Sequence, residues 1–322
     1  MVMCFIRAIL VLLAVLVHEA AAFSTSTPSS SRPTLALLSF DLDDTLFPCS
    51  TVVAEANEAM IASIVAHGYP SITNDDVLSA TKAIRNELRK TDTPITYTNL
   101  RIAAIQSQLE RSLAEHYPHI GNEALHESVS KKIFNVWLQA RHEAAERNLY
   151  PYAIDMLEQV RERHPDAVVA AVTNGRGDPL DMRDTLRPYF DYTISGEDEG
   201  VFPHRKPHPG IFEATLDAFQ SMAGYDLRQD NHKCWIHVGD DLANDVGASA
   251  ACGAKAVWYK MEEDEEGEDG ATPFYSTASA DEIERRKQMA AEAEEKVTEK
   301  ISTLSELPQA IEKILSAEQH IK

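Results

Sequence analysis

Leu35-Ala36-Leu37-Leu38-Ser39-Phe40-Asp41-Leu42-Asp43-Asp44-Thr45-Leu46 is the stretch that decides the fold of this chain. A short, almost wholly apolar run that stops abruptly in acidic residues reads as a buried parallel strand with carboxylates at its carboxyl end. Two further runs have the same form: Ala167 to Val172 entering Thr173, and Cys234 to Val238 entering Gly239-Asp240. Helix-length segments lie between and after them, Tyr152 to His164 and Pro209 to Met222, and another strand is expected at Ala254 to Tyr259. The alternation predicts an α/β fold, a doubly wound and mainly parallel sheet. Ligands of such sheets bind beyond the carboxyl ends of the strands, and the polar residues lie there.

Residues 51–148 interrupt the alternation with amphipathic stretches only: Val52 to Ala66, Asp75 to Lys90, Tyr97 to Tyr117 and Glu123 to Arg147. They predict an all-helical cap inserted between two core segments, 35–50 and 149–260. In the cap, Phe134, Trp137 and Tyr97 are expected as helix core. Residues 261–300 read as a charged insertion. They open on Glu262 to Asp269, seven carboxylates in eight positions, and continue into a solvent-facing helix from Asp281 to Lys300. Residues 301–322 read as a last short strand and helix returning to the core.

With 51 acidic against 30 basic residues and a formal charge of -21, the surface repels phosphate backbones, and a nucleic-acid partner is not expected. The four cysteines are widely spaced and contain no Cys-x-x-Cys pair, so neither a disulfide framework nor a zinc site is indicated. Ala8 to Val17 is wholly apolar, preceded by Arg7 and followed by Ala20-Ala21-Ala22. This is the order of a secretory signal over 1–22, too short to span a bilayer, and no membrane is expected for the mature form. Residues 23–34 are acid-poor and rich in Ser and Thr, as in a transit segment. Together they resemble the bipartite presequences of algae with secondary plastids, which implies a plastid address; plain secretion is the alternative.

Asp41 and Asp43, two residues apart at a strand end, point into one cleft, where like charges are costly unless neutralised. A Mg²⁺ ion neutralises them, since it favours a few carboxylate oxygens together with water and substrate phosphate. An acidic turn that merely capped a helix would predict nothing elsewhere, yet partners follow in order. Thr173-Asn174-Gly175 offers a hydroxyl, an amide and backbone N–H groups for phosphoryl oxygens. Lys206, within His204-Arg205-Lys206-Pro207, offers a point charge, and Gly239-Asp240-Asp241-Leu242-Ala243-Asn244-Asp245 adds carboxylates.

These residues resemble the four motifs of the haloacid dehalogenase superfamily: Asp41-x-Asp43-x-Thr45, Thr173, Lys206, and Gly239-Asp240 through Asp245, with a helical C1-type cap after the first. The resemblance implies a Rossmann-like core and an Asp41 nucleophile that is transiently phosphorylated. It implies Asp43 as general acid and base, with Thr173, Asn174 and Lys206 around the phosphoryl group. Mg²⁺ would be held by the Asp41 carboxylate, the Asp43 carbonyl and Asp240, with Asp245 supporting. An acid at position 43 favours phosphate esters over halides, whose departure needs no proton; a sugar phosphate mutase would use the same two aspartates. The implied substrate is a small phosphorylated metabolite. The motifs look most like the branch of flavin mononucleotide phosphatases and of the phosphatase acting on 5-amino-6-(5-phosphoribitylamino)uracil. The alternatives are a general nucleotide or sugar-phosphate phosphatase and a non-catalytic binding protein of the same fold.

Overall fold

The computed structural model describes residues 33–116, 123–230, 232–261 and 279–318. The expected signal segment, the expected transit segment up to residue 32 and the Glu262 to Asp269 run lie outside them. Six strands alternate with helices: β1 (Thr34–Phe40), α1 (Cys49–Ala66), α2 (Asn74–Lys90), α3 (Tyr97–His116), α4 (Glu123–Arg147), α5 (Ala153–Arg163), β2 (Val168–Thr173), β3 (Tyr192–Ser195), α6 (Gly210–Ala223), β4 (Lys233–Gly239), α7 (Ala248–Ala251), β5 (Lys255–Tyr259), α8 (Ala280–Ala293), β6 (Val297–Ile301) and α9 (Leu307–Ala317). The sheet order is β3-β2-β1-β4-β5-β6 and every pairing is parallel.

β1 is central and buried on both faces, which is why its sequence is nearly continuous in apolar residues. Leu38 and Phe40 enter the cluster formed with α5 and α9, while Ala36 and Leu37 enter the cluster formed with α6. Leu37, Leu38 and Phe40 are each 0% exposed, so truncating any of them to Ala should cost ~2–5 kcal/mol. Register puts the polar residues together: Phe40 lies opposite Ala171 on one side and Val238 on the other, so Asp41, Thr173 and Asp240 emerge at one end of three adjacent strands.

The four helices α1 to α4 form an insert between β1 and α5 with an apolar cluster of their own, including Met60, Ile64, Ile105, Leu109, Phe134 and Trp137. Its two connections run side by side, because Tyr150 N–H donates to Leu46 O at 2.8 Å. Phe134 and Trp137 are core residues, but Tyr97 is 38% exposed, with the Arg205 guanidinium 4.3 Å from its ring centre. The expectation that Tyr97 belongs to the core is corrected, since it opens α3 at the edge of the insert.

The expected 261–300 insertion is also corrected over its described part. The charged helix ends at Ala293, and Val297–Ile301 is the edge strand of the sheet, paired with β5. The chain thus rejoins the core four residues before Ile301. An edge strand needs only alternate residues packed. Ile301 is buried and Val297 and Glu299 are half-buried, while Thr298 and Lys300 face solvent, and the charges hid the strand. α8 is not a free solvated helix either: Ala293 packs with Val246 and Ala256.

Candidate active site

After Phe40 the chain turns sharply. Leu46 N–H donates to Leu42 O at 2.9 Å, and Asp44 adopts φ 61°, a left-handed conformation that Asp tolerates better than most residues. The Asp44 carboxylate then accepts the Cys49 N–H at 2.8 Å, supporting the start of α1. Cys234 and Cys252 are free thiols.

At the floor of the site Lys206 is buried and donates to Asp41 Oδ1 at 2.5 Å and to Asp245 Oδ1 at 2.8 Å. Its loop is fastened by Asn174, whose amide donates to the Lys206 carbonyl at 3.0 Å. One of the two protons of the Asn174 amide is thereby engaged with protein. Thr173, buried at the end of β2, accepts the Gly175 N–H at 3.3 Å. Thr45 bonds Asp240 twice: its hydroxyl donates to Oδ1 at 3.3 Å and accepts the Asp240 N–H at 3.1 Å. The Asp240 carbonyl accepts Trp258 Nε1–H at 2.8 Å.

Asp245 sits on a π-helical turn, Leu242–Gly247, and folds back over β4. A Cβ on Gly239 would stand 2.3 Å from Asp245 Cγ, so only glycine permits this return. Behind Asp245 lies a chain of polar residues that reading the sequence did not single out. Trp235 Nε1–H donates to Ser39 Oγ at 2.8 Å, and Ser39 Oγ is 2.8 Å from His237 Nδ1. Ser39, whose oxygen takes the indole proton, is placed to give its own proton to Nδ1 in the tautomer protonated on Nε2. The remaining imidazole proton then lies on Nε2, 3.5 Å from Asp245 Oδ1. Ser39 and His237 are the polar residues inside apolar strand runs, and that was their signal.

Charge is unevenly compensated here. Burial pushes Asp245 up, but Lys206 and His237 more than reverse it and hold the carboxyl at about 2. Burial pulls Lys206 down, and Asp245 with Asp41 outweighs it, so the ammonium stays charged. Burial first, then Asp245 and Asp43, raise Asp41 to about 8 against the pull of Lys206. Asp240 is raised well above the ordinary carboxylate range by burial, Asp245 and Asp41. Asp41 and Asp240 are therefore the two carboxylates left short of positive charge.

Oxygens of Asp41, Asp240 and Asp245 all lie within 4.8 Å of one another, an all-oxygen donor set that suits a hard divalent cation. Since Lys206 and His237 satisfy Asp245, Asp41 and Asp240 are the better placed pair. The Asp43 carboxylate points elsewhere: Nη2 of Arg141, from α4, donates to both its oxygens at 2.6 and 2.8 Å. Asp43 can thus offer a cation only its carbonyl. Arg141, 98 residues away in sequence, carried no signal in the sequence. It passes so close to the 175–178 loop that a Cβ on Gly177 would lie 2.6 Å from its Nη1.

The model of the haloacid dehalogenase-like hydrolases matches residues 35–253, which include Asp41, Asp43, Thr173, Lys206, Asp240 and Asp245. The chain belongs to that family. Among relatives of this hydrolase, the 5-amino-6-(5-phospho-D-ribitylamino)uracil phosphatase YigB of Escherichia coli is 25% identical over 234 residues, covering 71% of this chain and 84% of that protein. A glyceraldehyde 3-phosphate phosphatase of Pyrococcus abyssi is 24% identical over 230 residues, covering 69% and 79%. The fold is shared with a 2-haloacid dehalogenase from Pseudomonas syringae pv. Tomato, at a TM-score of 0.59 and 19% identity, covering 87% of this chain and 100% of that one. Both named relatives are phosphatases, and the hydrolase groups with them.

Proposed function

We propose that this hydrolase is a Mg²⁺-dependent phosphomonoester phosphatase that acts on a small phosphorylated metabolite through an aspartyl phosphate on Asp41. The observation that carries the reading is the buried Asp41 carboxylate at the end of the central strand, held by Lys206 at 2.5 Å with Asp240 beside it. Asp41 and Asp240, with the Asp43 carbonyl, would hold Mg²⁺. When bound, the ion supplies charge that keeps Asp41 ionised and offsets the negative charge of the phosphoryl group. Asp41 Oδ then attacks phosphorus in line. The P–O bond to the leaving group breaks, and Asp43 delivers the proton that the alkoxide needs. Water next attacks the acyl phosphate, its proton passing to Asp43, and inorganic phosphate leaves with Asp41 restored. Lys206 and Thr173 are the donors for the equatorial oxygens.

Asp43 is bonded to Arg141 in the present arrangement, and proton transfer to a leaving group requires that contact to loosen. The helices α1 to α4 are the natural cap, because their paired connections at Leu46 and Tyr150 lie beside the nucleophile. For the substrate, we favour the 5-amino-6-(5-phosphoribitylamino)uracil and flavin mononucleotide branch, supported by the motif wording and the YigB relative. A plastid address in residues 1–34 fits that pathway. The Pyrococcus relative favours a triose phosphate as the second reading.

Phosphate release from a panel of these esters, nucleoside monophosphates and 2-phosphoglycolate, with Mg²⁺ and with EDTA, tests both levels. Mg²⁺-dependent release that disappears in Asp41→Asn supports the mechanism, and the ranking of kcat/KM decides the substrate. Release unchanged in Asp41→Asn would remove the mechanism.

A further inference from the structure

α8 lies in a stretch whose sequence announces only charge, yet two of its side chains, one turn apart, reach two segments distant in sequence. Ser279 and Glu282 form a reciprocal cap at its start, with Ser279 N–H donating to Glu282 Oε2 at 2.7 Å. The same Glu282 oxygen accepts Arg89 Nη2 at 2.5 Å, and Arg89 stands in the last turn of α2, in the helical insert. Four residues on, Arg286 donates to Asp241 Oδ2. Positions i and i+4 share a helix face, so the insert and the loop after β4 are gripped by one surface.

Asp241 is no bystander. Its Oδ1 accepts the N–H groups of Ala243 at 2.9 Å and Asn244 at 2.8 Å and so caps the π-helical turn that carries Asp245, while its own N–H donates to Asp245 Oδ2 at 3.1 Å. Asp241 is also the next residue after Asp240. The tail of α8 closes on the same turn: a Cβ on Gly247 would meet Ala293 Cβ at 2.9 Å, so the two segments approach as closely as glycine allows.

We propose that Arg286 is a positioning residue for the metal carboxylate Asp240, and that α8 is a strap through which the Arg89–Glu282 contact ties this loop to the helical insert. The first half rests on the reading of Asp240 as a metal ligand. Arg286 neutralises Asp241, so that the adjacent Asp240 does not face a second uncompensated carboxylate, and it fixes the direction in which the loop leaves β4. Arg286 is half-exposed, so the effect should stand at the low end of what outer-sphere partners of metal ligands give.

The test is Mg²⁺ titration of the full chain by calorimetry, with thermal unfolding followed in parallel, for the wild type, Arg286→Ala, Arg286→Lys and Asp240→Asn. Arg286→Ala should weaken Mg²⁺ binding about tenfold, with little change in unfolding midpoint in EDTA, and Arg286→Lys should recover most of the loss. Equal Mg²⁺ affinity in wild type and Arg286→Ala, with binding abolished in Asp240→Asn, would overturn the positioning role and leave the metal reading standing. Wild type that binds no Mg²⁺ would overturn both. For the strap, Glu282→Gln should speed amide hydrogen exchange across residues 74–90 relative to wild type; unchanged exchange there would overturn that half.

Discussion

Replacing the proposed nucleophile by its amide, Asp41→Asn, should make the metal-free protein more stable. Asp41 is 7% exposed and its carboxyl is raised from 3.8 to about 8, with burial as the leading cause. A carboxyl raised in the folded state is penalised above its unfolded value, and the penalty grows until the folded value is passed. Stability in EDTA should therefore fall as pH rises from about 4 to about 8, by at most ~1.4 kcal/mol per pH unit. Asp245 works against this slope only in strong acid, because its carboxyl is held at about 2 and its contribution is complete above about pH 4. Asparagine keeps the shape and removes the charge, but gives up the ionic half of the Lys206 contact, which takes back part of the gain. We expect a net ~2–4 kcal/mol of added stability near pH 8 in EDTA. Near pH 5 the gain should shrink to ~1 kcal/mol. Saturating Mg²⁺ should narrow the gap at pH 8, since the ion stabilises the wild type by mass action. Urea unfolding followed by circular dichroism at both pH values, with EDTA and with Mg²⁺, reads all of these differences. An Asn variant no more stable than wild type in EDTA at pH 8 would refute the claim that Asp41 lacks compensating charge.

Three further outcomes follow from the same geometry. Asp245→Asn removes one of the two negative charges around a buried ammonium, so we expect ~3–5 kcal/mol of lost stability in urea unfolding and a lower kcat at saturating Mg²⁺. Gly239→Ala forces a Cβ to within 2.3 Å of Asp245 Cγ, and the protein should lose several kcal/mol, ~3 or more, or fail to accumulate as soluble chain. Arg141→Ala frees the Asp43 carboxylate and empties a buried site between α4 and the strand ends, so kcat should change while Mg²⁺ affinity measured by calorimetry stays within about twofold; a large loss of Mg²⁺ binding would show that Arg141 acts on the carboxylate pair instead.

What the sequence disclosed depended on how each segment is buried. β1, β2 and β4 are covered on both faces, so their runs are almost wholly apolar and end at a visible polar boundary. β3 has two half-buried residues among four, and β6 alternates with charges, so neither shows such a run. The polar residues at the strand ends, Asp41, Thr173, Asp240 and Asp245, could be placed together because register does the placing: strands that start together end together. Lys206 needed only a loop from β3 to α6 to reach them. Arg141, Arg286 and Glu282 were not legible, since each acts through a partner set by how the insert and α8 sit against the sheet, and no periodicity encodes that.

The difference has a physical consequence for how this active site is built. Its floor consists of groups whose positions are fixed by the most buried part of the sheet: Lys206 and Asp245, with Asp245 backed by the Trp235, Ser39 and His237 chain. Those groups are internally compensated and should hold their geometry with or without a metal. Its rim consists of Asp43 with the buried Arg141, Asp241 with Arg286, and Glu282 with Arg89, ion pairs between segments far apart in sequence, the last two more open to solvent. The two exposed pairs contribute little to stability individually, so they position their neighbours rather than hold the fold. Asp41, buried like the floor, and Asp240, half-buried, stand between the two regimes, both undercompensated. The fold therefore keeps a deficit of positive charge where a divalent cation and a phosphoryl group would meet, with Asp43 and Arg141 the pair that must part for proton transfer.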